Sequence, residues 1–145
     1  MTSFNSEPVS IKRNSHLVFD FLADFHNFEK LMPSQVTDWR SDGDSCSFNI
    51  QNMATLAMRY EQKVPFSHIK IISEGKSPFS FDLQCFIEPS TVESCIVNLQ
   101  LNASLNPMLK MMVSKPLSNF INILAHKLQE VCETTLPESG VNDVL

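Results

Sequence analysis

The sequence predicts an α+β fold: a curved, seven-stranded antiparallel sheet that grips a long C-terminal helix, with two short helices after the first strand. Two patterns support this prediction. From residue 106 to residue 133, apolar residues recur at steps of three and four, which is the spacing of one side of an α-helix. Between residues 35 and 105, apolar and polar residues alternate in short segments, as they do in half-buried strands. A helix of that length needs an apolar partner of similar size, and the strands can supply one.

The chain before residue 35 predicts one strand and two short helical segments. The strand covers residues 4–13, and Pro8 within it indicates an edge position or a bulge, because proline has no N–H to donate. Asn14 favours the start of a helix, which we expect over residues 16–25. A second, shorter helical turn is predicted over residues 27–31.

Six further strands are predicted in sequence, and consecutive strands joined by tight turns form an antiparallel meander. In the first hairpin of this meander, the turn would place Trp39 opposite Cys46. In the last hairpin, a turn centred on residues 89–91 would pair Cys85 with Cys95 and sort apolar pairs onto one face. The six strands cover residues 36–40, 46–50, 54–64, 67–73, 79–88 and 92–105, with a turn at 51–52.

The last helix has a clear predicted start. Asn106 can accept a hydrogen bond from a free N–H of the first turn, and Pro107 stands where a missing N–H costs nothing. Pro116 lies inside the helix and removes one hydrogen bond, so we expect a kink or a break there. We expect a single domain over residues 1–134 and a flexible tail over residues 135–145.

Composition and charge exclude several classes of protein. The chain has 145 residues, a net charge of −5 and scattered lysines and arginines, which argues against a nucleic-acid surface and an anionic membrane surface. No segment is apolar over a length that could span a bilayer, so we expect no stable membrane insertion. Residues 1–10 lack the basic and apolar regions of a signal peptide, and we therefore expect a cytoplasmic protein.

The titratable residues that often bind metals are dispersed. The four cysteines form no CxxC pair, which predicts free, partly buried thiols and no metal or other cofactor. We expect the histidines to be solvated, and His126, which neighbours the apolar stripe of the last helix, is the one nearest to a cavity. No spacing indicates a catalytic triad or dyad, so no catalytic residue is assigned. The cysteines are Cys46, Cys85, Cys95 and Cys132.

Three parts of the chain together have a familiar arrangement. They are the segment Ser15–Asp24 with its continuation to Met32-Pro33, the strand meander, and the helix start Asn106–Leu109. On these features the chain resembles small bacterial members of the START-like, helix-grip superfamily (SRPBCC), which includes lipid-transfer domains and polyketide cyclase/dehydrase proteins. The resemblance covers residues 4–133 and implies a small hydrophobic ligand in a cavity between the sheet and the last helix. Pro116 and the short chain depart from the usual pattern, and the short length implies a small cavity.

The residues expected to line this cavity are apolar or aromatic and face the inside of the predicted fold. Tyr60 offers the one polar group on that inward face. Methionines at the helix start would adapt to different apolar ligands. The predicted lining consists of Trp39, Phe48, Met58, Tyr60, Ile71, Phe81, Leu83, Leu99, Met108, Met112 and Phe120.

Three functions remain open from the sequence, and it favours the first. This is a binding or carrier protein for a small hydrophobic molecule such as a lipid, an isoprenoid or a polyketide-like compound. The second is a cyclase or dehydratase that uses the same cavity, which would require at least two ionisable groups converging there. The third is a protein-interaction module, similar to co-chaperones of the superfamily, with an apolar patch around Ile72, Phe86 and Ile96. A homodimer is also an open alternative.

Overall fold

The computed structural model describes residues 1–50, 54–75 and 78–137 and gives these residues an α+β fold. The strands are β1 (Thr2–Asn5), β2 (Val9–Ile11), β3 (Val36–Ser41), β4 (Ser45–Ile50), β5 (Ala54–Val64), β6 (His68–Ser73), β7 (Phe81–Thr91) and β8 (Ser94–Ala103). The helices are α1 (Ser15–Leu22), α2 (Phe25–Phe28) and α3 (Pro107–Thr135), and a 3-10 turn covers Glu29–Leu31. The predicted turn at 51–52 and residues 138–145 of the predicted tail lie outside the described residues.

The strands form one antiparallel sheet in the order β1-β8-β7-β6-β5-β4-β3, and β2 also pairs with β8. The predicted fold class is therefore confirmed, including the two short helices and the long C-terminal helix. The first predicted strand is divided into β1 and β2, both on the same edge of the sheet. Pro8 lies at the break, and the hydroxyl of Ser6 there accepts a hydrogen bond of 3.0 Å from the N–H of Leu99.

The predicted register of β7 with β8 is wrong by four residues along β8. Cys85 pairs with Leu99 and not with Cys95, and Leu83 pairs with Leu101. A shift of four residues along β8 keeps every side chain on its predicted face, because faces alternate with a period of two. The apolar residues of both strands are therefore buried on one side, although their partners differ from those expected.

The turn chemistry explains this register. The chain reverses over Val92 and Glu93, so Thr91 pairs with Ser94, and a bulge follows between Pro89 and Thr91. The Thr91 hydroxyl accepts a hydrogen bond of 3.1 Å from the N–H of Glu93 and lies 2.8 Å from the Ser94 hydroxyl. Such a threonine turn is a local signal that apolar sorting alone cannot reveal.

The pairing predicted for Trp39 is also wrong. Cys46 pairs with Ser41, because the turn is centred on Gly43 and Asp44, where the Asp42 carboxylate accepts hydrogen bonds from the N–H groups of Asp44 and Ser45. Between Thr37 and Arg40 the register of β3 then shifts by one residue, and Asp38 in this bulge adopts a positive φ of 55°. The indole of Trp39 instead stacks on Phe48, with ring centroids 5.2 Å apart.

The long helix α3 starts as predicted and is not broken. Asn106 accepts a hydrogen bond of 2.8 Å from the N–H of Leu109, and Pro107 is the first helical residue. α3 continues through Pro116 to Thr135. Because proline has no N–H, the carbonyl of Met112 loses its helical hydrogen bond. Pro116 and Met112 are both exposed, so water can reach this turn. Among the helices of the described residues, none combines the length and the apolar character needed to cross a bilayer.

The core fills the space between the sheet and the helices, and the four cysteines belong to it. All four are free and buried, as predicted for unpaired thiols. Burial disfavours the thiolate, so it raises the pKa of Cys95 to about 11 and the pKa values of the other three to about 12. The side chains of α3 that face this core are Val113, Leu117, Ile121, Leu124, Ala125, Leu128 and Cys132.

The C-terminal end of α3 is held by a buried arginine. Arg13, which is 8% exposed, follows β2 and donates hydrogen bonds to the carbonyls of Leu136 (3.0 Å) and Glu133. It also donates to the carbonyl of Lys12, whose own N–H donates to the Glu133 carboxylate at 2.9 Å. The carbonyls of Glu133 and Leu136 lack helical donors, and the negative end of the helix dipole favours a cation. Arg13 therefore fixes this end of α3 to the sheet edge.

Arg13→Lys should destabilise the protein, because one ammonium group cannot reach carbonyls on both sides of the guanidinium. We expect a loss of about 2 kcal/mol in the free energy of unfolding, measured by urea denaturation. Arg40→Lys is the matched control, since Arg40 is exposed, and should change stability by less than about 0.5 kcal/mol. Equal stabilities of the two variants would contradict the role assigned to Arg13.

The raised thiol pKa values predict a loss of stability in alkali. Between pH 9 and about 12 the unfolded chain releases thiol protons that the folded chain keeps, so the free energy of unfolding falls as pH rises. Each thiol contributes a slope of about 1.4 kcal/mol per pH unit in this window. Cys85→Ala should therefore show a shallower slope than the natural chain in urea denaturation under reducing conditions, whatever its stability at neutral pH. Parallel slopes would show that Cys85 ionises equally in both states.

Candidate functional site

An open groove of about 550 Å³ runs beside the N-terminal half of α3. The helix forms one wall, and residues around the start of β3, the end of β4 and the approach to β7 form the other. The helical wall consists of Leu109, Met112, Val113, Lys115, Pro116, Leu117, Asn119, Phe120 and Ile123. The opposite wall consists of Pro33, Gln35, Val36, Ile50, Pro78 and Phe79.

Behind this groove, the space between the sheet and α3 is almost filled. The inner cavity has a volume of only about 20 Å³, enough for about one water molecule. It shares four lining residues with the groove, so the two spaces adjoin. The shared residues are Ile50, Phe79, Leu117 and Phe120.

The predicted lining residues are divided between these two spaces and the rest of the core. Met112 and Phe120 line the groove, and Phe120 also lines the inner cavity. Four more predicted residues line only the filled inner cavity: Phe48, Met58, Phe81 and Leu83. The remaining five line neither space: Trp39, Tyr60, Ile71, Leu99 and Met108.

The rotation of α3 about its axis explains the placement of its methionines. Val113, Leu117 and Ile121 face the core, so the residues on either side of that stripe reach only the rim. Met112 is consequently 65% exposed and forms part of the groove wall, whereas Met108 is 71% exposed and faces solvent. Met112, which the sequence analysis placed on the inward face, is thus at the rim, because the apolar stripe is centred about one residue later than expected.

Tyr60 has a structural partner for its hydroxyl. The hydroxyl donates a hydrogen bond of 2.6 Å to the carbonyl of Leu22 at the end of α1, and burial raises the pKa of Tyr60. Its ring stacks on Phe25, with centroids 4.1 Å apart, and the ammonium of Lys63 lies 4.2 Å from the ring centroid. Tyr60 thus joins α1 and α2 to β5, and its only polar group is already engaged.

The polar groups of the groove are few, and the sequence analysis predicted none of them. Gln35 lies on one wall, and Lys115 and Asn119 lie on the other. Lys115 is the only ionisable residue among the described lining residues. Ile123 was also missed, although an apolar residue beside the helical stripe is the kind of signal that marks a rim position.

The histidines lie away from the groove. His126 is exposed and its imidazole is 3.4 Å from the carboxylate of Glu7, beyond the lining of the groove. His16 stacks on Phe66 at 3.7 Å, and His68 hydrogen-bonds Gln84. In residues 1–50, 54–75 and 78–137, no three His, Cys, Asp or Glu side chains are placed so that they could hold a metal ion together.

The apolar residues proposed for an interaction patch are not contiguous. Phe86 is 39% exposed and stacks on His68. Ile72 and Ile96 are less exposed than Phe86, since both are half-buried. Ile72 pairs with Asp82 in β7, four residues from Phe86 along that strand. The polar residues Asp82 and Gln84 therefore separate Ile72 from Phe86 on the outer face of the sheet.

Comparison of sequences gives no relative for this chain: no family model matches it, and neither does any curated protein. Comparison of structures gives many similar proteins. A START superfamily protein from Mycobacterium smegmatis has a TM-score of 0.63 and 13% identity, covering 89% of this chain and 98% of that chain. Norcoclaurine synthase from Thalictrum flavum, in complex with dopamine and hydroxybenzaldehyde, has a TM-score of 0.68 and 8% identity. The match covers 94% of this chain and 89% of that chain.

A third similar structure is the di-domain ARO/CYC BexL from the BE-7585A biosynthetic pathway. Its TM-score is 0.63 at 16% identity, and the match covers 94% of this chain and 48% of that two-domain chain. At such low identities the similarity establishes the fold alone. The chain therefore has the helix-grip fold that these START-like proteins share.

Proposed function

We propose that the groove beside α3 binds a small hydrophobic molecule and that the protein acts as a binding or carrier protein. The observation that carries this proposal is an open groove of about 550 Å³ with predominantly apolar walls. Ligand sites are typically concave, mostly apolar and between about 300 and 1,000 Å³ in volume, with a few polar groups. The groove fits this description, whereas the inner cavity of about 20 Å³ is too small for any organic ligand.

The walls are suited to ligands of varied shape. Met112 is unbranched and largely exposed, so it can change rotamer around a bound molecule at little cost. Phe120 and Ile123 supply apolar area on the same wall, and Ile50 and Phe79 oppose them. This composition favours a lipid, an isoprenoid or a polyketide-like compound over a sugar or a nucleotide.

The enzyme alternative requires at least two ionisable groups that converge on a substrate. The described lining of the groove contains one, Lys115, with Gln35 and Asn119 as its polar neighbours. Norcoclaurine synthase and the ARO/CYC protein share the fold of this chain at only 8% and 16% identity, and a shared fold does not by itself imply a shared activity. A binding role therefore needs fewer assumptions than a cyclase or dehydratase activity.

A cytoplasmic location accords with this proposal. The four cysteines are free and buried in the core, and unpaired thiols are typical of proteins in a reducing compartment. A carrier of this kind would take up its ligand inside the cell and release it there.

Met112→Glu should weaken binding of a neutral apolar dye such as Nile red by about tenfold, because it places a charge on the groove wall and removes apolar area. Met111→Glu is the matched control: Met111 is the preceding residue, is 87% exposed and does not line the groove. We expect its dye affinity to stay within about twofold of the natural chain. Fluorescence titration measures the dye affinity of both variants. Equal losses of affinity in the two variants would place the binding site elsewhere.

Native mass spectrometry of the purified protein offers a direct test of the carrier role. A co-purified small molecule should appear in the spectrum of the natural chain and be depleted in that of Met112→Glu. If no apolar compound binds the protein in either experiment, the proposed function is wrong.

A further inference from the structure

We propose that the groove selects amphiphiles with an anionic head, and that Lys115 is the residue that recognises the head. The inference deepens, and rests on, the proposed function of the groove. It begins with the charge of the lining: Lys115 is the only ionisable residue among the described lining residues, and no carboxylate is among them. An apolar ligand bound there would meet one positive charge and no negative one.

The helix that carries Lys115 differs in charge from the rest of the chain. The chain contains 16 acidic and 11 basic residues, yet no aspartate or glutamate occurs from residue 106 to residue 129. Lys110, Lys115 and Lys127 all fall within that span. The helix dipole adds a partial positive charge at the N-terminal end of α3, close to the groove. The local potential at this wall therefore favours an anion although the net charge of the protein is −5.

The charge of Lys115 is uncompensated within the described part of the chain. Two lysines on the sheet have carboxylate partners: Lys63 lies 3.7 Å from Asp44, and Lys70 lies 3.3 Å from Glu61. Lys115 makes no such ion pair with a described residue and is exposed at the rim of the groove. Its ammonium group is consequently available to a ligand.

The neighbouring polar groups suit a carboxylate. Asn119 is four residues after Lys115, so both side chains extend from the same side of α3 onto the groove wall. A carboxylate has two oxygens, and one can accept from the Lys115 ammonium while the other accepts from the Asn119 amide. Gln35 provides a further amide donor on the opposite wall. The hydrocarbon part of the ligand would then lie along Met112, Phe120 and Ile50.

The experiment compares three ligands with the same alkyl chain, dodecanoate, dodecanol and dodecylammonium, below their aggregation concentrations, by displacement of Nile red. We expect dodecanoate to bind about fivefold more tightly than dodecanol, the size typical of a partly exposed charge pair, and dodecylammonium to bind most weakly. High salt should reduce the advantage of dodecanoate and leave the affinity of dodecanol almost unchanged.

Lys115→Gln should abolish the advantage of dodecanoate and keep the affinity for dodecanol. Lys110→Gln is the matched control, since it makes the same change in charge on the same helix but outside the groove lining, and should keep the advantage. If the natural chain binds all three ligands equally, or if Lys115→Gln keeps the preference, the inference is wrong while the proposed binding function stands. If none of the three displaces the dye, the proposed function itself fails.

Discussion

The packing of one side of α3 against the concave face of the sheet is the constraint on which the rest of the structure depends. The helix contacts β1, β2 and β8, which form one edge of the sheet, and it also contacts the 3-10 turn. Arg13 binds the carbonyls at its C-terminus, while Asn106 caps its N-terminus. With both ends and one side fixed, the free side of its N-terminal half forms one wall of the groove.

The position of the groove follows from the strand order. Since α3 lies towards the edge formed by β1, β2 and β8, the opposite edge, formed by β3 and β4, is further from the helix. Val36 in β3 and Ile50 in β4 therefore line an open space, whereas Met58 in β5 and Leu83 in β7, which are nearer the middle of the sheet, line a filled one. The same apolar face of the sheet is thus core along its centre and groove wall along one edge.

Periodicity in the sequence predicts the fold well, because the burial of each strand and of α3 is a local property of alternating residues. It cannot fix the pairing of β7 with β8, since a shift of four residues preserves every face, and here the turn at Thr91 decides. Nor can it predict the centre of the turn between β3 and β4, which sets the partner of Cys46, or the bulge at Asp38. The groove was mostly missed for a related reason: Gln35, Lys115 and Ile123 are rim residues, and their place depends on how far α3 lies from β3 and β4.

The filled inner cavity limits how deeply a ligand can enter. Ile50, Phe79, Leu117 and Phe120 form the boundary between the groove and the inner cavity, and they are part of the core or packed against it. A ligand that moved inward would have to displace these side chains, and overpacking a close-packed core costs about 1–3 kcal/mol. The proposed binding along the rim avoids this cost, because Met112 and Lys115 are exposed. A close-packed interior thus holds the helix in place, while the proposed ligand would contact only the exposed rim.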